Sequence, residues 1–112
     1  MKLQEQLCGA LERHLAGGKA APPEAGVILW NAFDALSRAR TWHGAGPNPI
    51  QFSEVAAWCR LMNMPLSPDH VRVIMAMDQV WTGHMLRVMK PDAVEAKPAG
   101  DLTAALFDRV LG

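Results

Sequence analysis

The chain has 112 residues, half of them apolar, and its 11 basic and 11 acidic side chains cancel. That length allows one domain with a modest core, and the apolar fraction is too high for a disordered chain. The neutral balance argues against a dedicated nucleic-acid binder, whose phosphate contacts need a basic surplus.

Cysteine usage and hydropathy indicate a soluble protein of the cytoplasm. Cys8 and Cys59 are too few for a disulfide scaffold, and reduced thiols are expected. Charged residues interrupt residues 1–17, which therefore lack the apolar run of a signal peptide. No segment approaches the ~20 apolar residues that cross a bilayer.

The first predicted element is an amphipathic helix. Leucines recur every four residues and draw one stripe, and Gly17-Gly18 ends the helix because glycine accepts a left-handed cap. Residues 17–25 are typical of a linker. We therefore expect residues 1–21 to form an arm outside the core that binds partners or pairs two copies through its stripe, which consists of Leu3, Leu7, Leu11 and Leu15.

Pro22-Pro23 predicts the start of a second helix, since proline fits the first turn. Its apolar face includes Trp30 and Phe33, and it ends in the basic residues Arg38 and Arg40.

The Gly- and Pro-rich residues 40–52 follow this helix. They lack the Gly-Lys-Ser/Thr of a phosphate-binding loop, and Pro47 and Pro49 remove two backbone donors. A stiff reversal is the better interpretation, with Ile50 and Phe52 expected to fix the next helix to the core.

Two more helices are expected. The third starts at Gln51 or Ser53 and stops near Asn63, and the fourth spans residues 68–90 after the strong start signal Ser67-Pro68.

One residue of the fourth helix does not suit a core. Asp78 falls on the apolar stripe between Ile74 and Trp81, and a buried carboxylate costs several kcal/mol unless it is paired. Arg38 or Arg40 is the expected partner, in an ion pair that fixes helix packing. A catalytic acid is the weaker alternative, because no second carboxylate or nucleophile accompanies it.

Residues 91–112 are expected to be a second linker and a short helix capped by Asp101. A helix this short must either pack back or dock on another chain, so its apolar side is a candidate partner-binding face. That side contains Leu102, Leu106, Phe107 and Val110. With no strand pattern in the chain, the predicted fold is all-α. It has a compact core of three helices over residues 22–90 and helical arms over residues 1–21 and 91–112.

Chemical sites are not indicated. The four histidines lack zinc-ligand spacing, and no catalytic triad, cofactor motif or metal site stands out. Residues 52–77 have the outline of a helix-turn-helix, but few basic or amide side chains begin the second helix, which weakens that alternative. The methionines suit either a core or a partner-docking patch, and Met64 and Met75 are the candidates for the latter.

The central residues resemble small proteins encoded among the tail genes of tailed phages and prophages. The similarity covers residues 22–82 and runs through a tryptophan-containing helix, a Gly/Pro-rich turn, a second aromatic helix and an Ala-Met-Asp helix. It rests on Trp30, Phe33, Leu36, Arg40, Pro49, Ile50, Trp58, Leu66, Pro68, Ala76, Met77 and Asp78.

This resemblance implies a tail assembly chaperone or its frameshifted extension. Such proteins are helical and non-enzymatic, and they hold the tape-measure protein and recruit tube subunits before the tail polymerises. It places the protein in the cytoplasm of a bacterial host. A minor tail or connector protein of the virion is the close alternative, and a DNA-binding regulator the third.

Overall fold

The computed structural model describes residues 2–89, most of which are helical. The helices are α1 (Lys2–Leu15), α2 (Val27–Arg38), α3 (Phe52–Met62) and α4 (Pro68–Met89), and a 3-10 turn (Glu24–Gly26) precedes α2. A mainly helical fold is thereby confirmed. The predicted C-terminal helix lies outside the described residues, as do its candidate residues Leu102, Leu106, Phe107 and Val110.

A two-stranded antiparallel ribbon was not predicted. It pairs β1 (Trp42–His43) with β2 (Gly46–Pro47) within the Gly- and Pro-rich loop. Gly46 has a φ of 145°, which a residue with a side chain rarely adopts. Each strand has only two residues, so there is no alternating pattern from which the sequence could reveal it.

Capping interactions fix where α3 and α4 begin and where α3 ends. The backbone N–H of Gln51 donates to Glu54 Oε1 at 2.7 Å, as in a capping box, and that of His70 donates to Ser67 Oγ at 3.2 Å. Asn63 ends α3 in the left-handed conformation, with φ 51° and ψ 45°. These starts and this stop are where the sequence signals placed them.

The core is built around α4, on which α1 and α2 both pack. Val73, Ile74 and Met77 on α4 are completely buried. The other buried hydrophobic members of the core come from α1, α2, α3 and the loop: Leu7, Leu11, Leu29, Ala32, Phe33, Leu36, Ile50 and Val55.

The position of α1 corrects the expectation of an arm outside a three-helix core. Leu7 is fully buried and Leu11 nearly so, and both belong to the same cluster as the residues of α4. Gly26 allows this close approach, because a Cβ there would lie 2.8 Å from Leu7 Cδ2. The four-residue spacing of the leucines had identified the buried face correctly but not its partner.

The expectation that Ile50 and Phe52 both fix α3 to the core is met only by Ile50. Ile50 is buried as expected, but Phe52 is exposed and does not fix α3 to the core. The ribbon instead lies along the last turns of α4, where a Cβ added to Gly46 would be 3.6 Å from Leu86 Cδ2. Trp42 remains half-exposed and meets Trp81 edge to face, with ring centroids 6.2 Å apart.

Candidate partner-binding surface

A buried ion pair joins the loop to α4. Arg40 Nη2 donates to Asp78 Oδ1 at 2.5 Å, and the two side chains are only 1% and 5% exposed. The second carboxylate oxygen of Asp78 accepts the backbone N–H of Ile50 at 2.9 Å. Asp78 therefore holds both ends of the segment that runs from Arg40 to Ile50.

Further contacts satisfy most of the Arg40 guanidinium. Nη1 donates to the carbonyl of Asn48 at 2.9 Å, Nη2 also donates to Ser37 Oγ at 3.1 Å, and Cζ lies 3.9 Å from the centroid of the Trp81 ring. Within residues 2–89, Arg40 Nε is the one buried side-chain polar atom without a hydrogen-bond partner. With both side chains buried and bonded on several sides, the Arg40–Asp78 pair has the pattern of a packing element.

The two arginines considered as partners of Asp78 have different roles. Arg38 is the last residue of α2 and pairs with Asp34 one turn earlier, at 2.9 Å on the exposed surface. Arg40 lies beyond the helix end, so its side chain turns inward to Asp78. An exposed pair such as Asp34–Arg38 contributes little to stability, whereas the buried pair is costly to break.

An apolar groove opens at the other end of α4. It has a volume of about 210 Å³ and lies between the start of α2 and the turn that joins α3 to α4. Ile28 is 60% exposed at its edge. The lining residues are Ala25, Ile28, Leu29, Met64, Pro65, Leu66 and His70.

Among the described residues that were predicted to bind partners, two are buried and the others are half-buried. Leu7 and Leu11 are buried in the core, so the α1 stripe cannot serve as a docking face while α1 is packed; this corrects the prediction for those two residues. Leu3 and Leu15 are half-buried against the same core, as is Met75. Met64 is the described candidate that lines the groove.

Several exposed apolar residues were not singled out from the sequence. Ile28 follows Val27 and precedes Leu29 and Trp30, and four consecutive apolar residues cannot all face one side of a helix. Leu61 is 83% exposed near the end of α3. The run of four apolar residues was the sequence signal that at least one of them is exposed.

A smaller cavity of about 130 Å³ lies between α1, α2 and α4. Leu11, Leu15 and Trp81 are among its lining residues, so the end of α1 lies beside Trp81. At its edge the imidazole of His14 meets Trp30 edge to face, with centroids 6.1 Å apart.

Cys8 is a half-buried free thiol on α1. Burial, and secondarily the negative charge of Glu12, raises the pKa of this thiol. A raised pKa leaves less of the reactive thiolate at neutral pH.

Other kinds of site find no support in the described region. Among residues 2–89, no three His, Cys, Asp or Glu side chains come together in a way that could hold a metal ion. The second helix of the helix-turn-helix outline is α4, and Val73 and Ile74 near its start are buried in the core. The face of α4 that they occupy is therefore not free to enter a DNA groove.

None of the helices in the described part of the chain combines the length and the apolarity that a membrane crossing requires.

Comparison with protein families places the chain beside known proteins. The sequence model of a family described as phage tail assembly chaperone matches residues 8–83, which include α2, α3, the loop and most of α1 and α4. Searches of curated proteins and of solved structures returned no significant match. The match confirms the resemblance noted in the sequence and extends it into α1.

Proposed function

Because the chain belongs to the phage tail assembly chaperone family, we propose that it holds tape-measure or tube subunits before the tail polymerises. It acts by protein–protein binding, without catalysis, in the cytoplasm of the bacterial host. Binding is reversible in this role, since the subunits must be released into the growing tail.

The apolar groove beside Ile28 is the observation that carries this proposal. A chaperone for helical segments needs an exposed apolar channel in which one face of an amphipathic helix can lie. The groove supplies one, with Met64 and Leu66 on one wall and Ile28 on the other. Methionine suits such a surface because its unbranched side chain adapts to different partners.

The size of the groove favours a protein segment over a small molecule. Its volume of about 210 Å³ is below the roughly 300–1,000 Å³ typical of small-molecule sites. It has room for one or two apolar side chains that project from a helix. Such anchors dominate the binding energy of interfaces when they are fully desolvated.

The test is co-purification with the neighbouring tail proteins, using Ile28→Asp. Ile28 is exposed, so the substitution leaves the core intact while it places a charge at the edge of the groove. We expect it to weaken capture of the tape-measure or tube subunit at least tenfold, the equivalent of about 1.4 kcal/mol.

Phe52→Asp is the matched control, since Phe52 is also exposed but lies at the far end of α3 from the groove. Equal capture by the two variants would refute the groove as the binding site. Presence of the protein in purified particles at stoichiometric amounts would replace the chaperone role with that of a minor tail or connector protein.

A further inference from the structure

The cavity between α1, α2 and α4 lies where the leucine stripe of α1 ends. Leu7 and Leu11 are 0% and 4% exposed, but Leu15, the next leucine of the stripe, is only half-buried. Leu11 and Leu15 both line the cavity. The last turn of α1 therefore leaves a space of about 130 Å³ beside the core that no side chain of the described residues fills.

The floor of this cavity is apolar and is held in place. Leu11 and Phe33 are almost completely buried, and Trp81 forms a third wall. The Arg40 guanidinium lies 3.9 Å from the centroid of the Trp81 ring, and Trp42 meets the same ring edge to face. Because these two neighbours hold Trp81, its ring is not free to turn and fill the space.

The mouth of the cavity is polar. One face of α2 lines the cavity through Phe33, Asp34 and Ser37, which recur at helical spacing. The side chain of Asp34 is 56% exposed, so the cavity reaches the surface beside a carboxylate. Asp34 Oδ2 accepts a hydrogen bond from Arg38 Nε at 2.9 Å. A carboxylate has about four acceptor positions, so Asp34 can accept from a ligand as well.

These features select an aromatic ring with a hydrogen-bond donor close to the mouth. An apolar cavity of about 150 Å³ in another protein binds benzene, so a cavity of about 130 Å³ that opens at one side holds one six-membered ring. The carboxylate of Asp34 repels an anionic ligand, and Arg38 beside it disfavours a second cation. A tyrosine that entered ring first would bring its hydroxyl to the apolar floor, where burial without a partner is costly.

We propose that the cavity binds a tryptophan side chain of a partner protein. Its six-membered ring lies against Phe33 and Trp81, and its indole N–H donates to Asp34. The indole N–H is a donor only and the carboxylate an acceptor only, so the two groups match. Tryptophan is also enriched among the side chains that dominate the binding energy of protein interfaces.

This site is separate from the groove beside Ile28. The two share no lining residue, so binding of tryptophan in the cavity does not depend on the groove or on the function proposed for it.

Titration of the isotope-labelled protein with N-acetyltryptophanamide, a tryptophan side chain on a blocked backbone, tests the proposal. We expect the indole N–H signals of Trp30 and Trp81 to shift, with a dissociation constant of about 1 mM. The signal of Trp58 on α3, which does not line the cavity, should stay in place. N-acetylphenylalaninamide should bind about tenfold more weakly, because its ring has no N–H to donate.

Asp34→Ala should weaken the binding of N-acetyltryptophanamide about tenfold and leave that of the phenylalanine compound unchanged. The fold should tolerate this substitution, because the pair that Asp34 forms with Arg38 is exposed. Asp69→Ala is the matched control: it removes the carboxylate of another exposed pair, with Arg72, away from the cavity, and should not alter binding.

Four results would overturn the proposal. The Trp30 and Trp81 signals could stay unshifted well above the expected dissociation constant, or the two blocked amino acids could bind equally well. Binding of free indole but not of N-acetyltryptophanamide would assign the cavity to a small molecule instead. Shifts of the same two signals with protein concentration alone would assign it to a second copy of the chain, whose Trp42 is 53% exposed.

Discussion

Replacing Asp78 by asparagine tests how strongly the buried ion pair holds the loop to α4. Asparagine has nearly the same volume, and its Oδ1 can still accept the Ile50 N–H, which donates to Asp78 Oδ2 at 2.9 Å. The substitution therefore removes the negative charge with little change in packing. It leaves the guanidinium of Arg40, only 1% exposed, without its counter-charge.

The expected cost is large because the remaining charge cannot reach water. Removing one partner of a buried pair costs about 3–5 kcal/mol, mainly the penalty of the uncompensated charge. For a domain of this size, 3 kcal/mol corresponds to a fall in melting temperature of ~12 °C or more. In an Arg40→Met background the same substitution should cost much less, since no buried cation remains.

Urea unfolding followed by circular dichroism and tryptophan fluorescence measures this difference. Trp81 reports on the site directly, because the Arg40 guanidinium lies over its ring. Asp69→Asn is the control: Asp69 pairs with Arg72 on the surface, where both side chains are more than half exposed, and the change should stay within ~1 kcal/mol. Equal losses in the two variants, or none in Asp78→Asn, would refute the reasoning.

Three further outcomes are expected. Gly26→Ala should lower the free energy of unfolding by about 1–3 kcal/mol, because the new Cβ would collide with the buried Leu7. Gly9→Ala, within α1, should instead raise the free energy of unfolding by about 0.5–1 kcal/mol. Urea titrations that rank the two variants otherwise would contradict the packing of α1. Asn63→Ala should cost about 1 kcal/mol in thermal unfolding, because alanine lacks the polar side chain with which asparagine tolerates the left-handed conformation. Asn63→Gly should cost almost nothing, because glycine has no Cβ to penalise there; equal costs would show that this cap is unimportant. At pH 8 the Cys8 thiol should react with iodoacetamide more slowly in the folded than in the urea-unfolded protein, because its raised pKa leaves less thiolate. Glu12→Gln should speed the reaction of the folded protein, because it removes a negative charge that raises this pKa. Mass spectrometry of the Cys8 peptide measures these rates, and a different order would contradict the prediction.

The sequence predicted the elements of this fold better than their arrangement. Capping chemistry is local, so Gln51, Asn63 and Ser67 marked helix ends that the structure also has. The partner of an amphipathic face is not local information. The α1 stripe therefore has the same pattern whether it binds another chain or α4. The linker between α1 and α2 favoured the interpretation as an arm.

The ion pair was partly predictable for a chemical reason. A carboxylate on an apolar stripe needs a cation, which pointed to the basic end of α2. The choice between Arg38 and Arg40 depended on where α2 ends and on the pairing of Arg38 with Asp34. Those details are set by three-dimensional geometry, and so is the exposure of Ile28 that opens the groove.

The ion pair also lies apart from the groove along α4. Asp78 fixes the loop that places the ribbon against the last turns of α4, while the groove depends on the start of α2 and the turn after α3. A change that loosens the loop but leaves the protein folded should therefore disturb the C-terminal end of α4 before it disturbs the groove. If the Arg40→Met, Asp78→Asn double variant folds, it should lose amide protection in residues 82–89 yet still capture its tail partner. Loss of both together would mean that the two ends of α4 are coupled through the core.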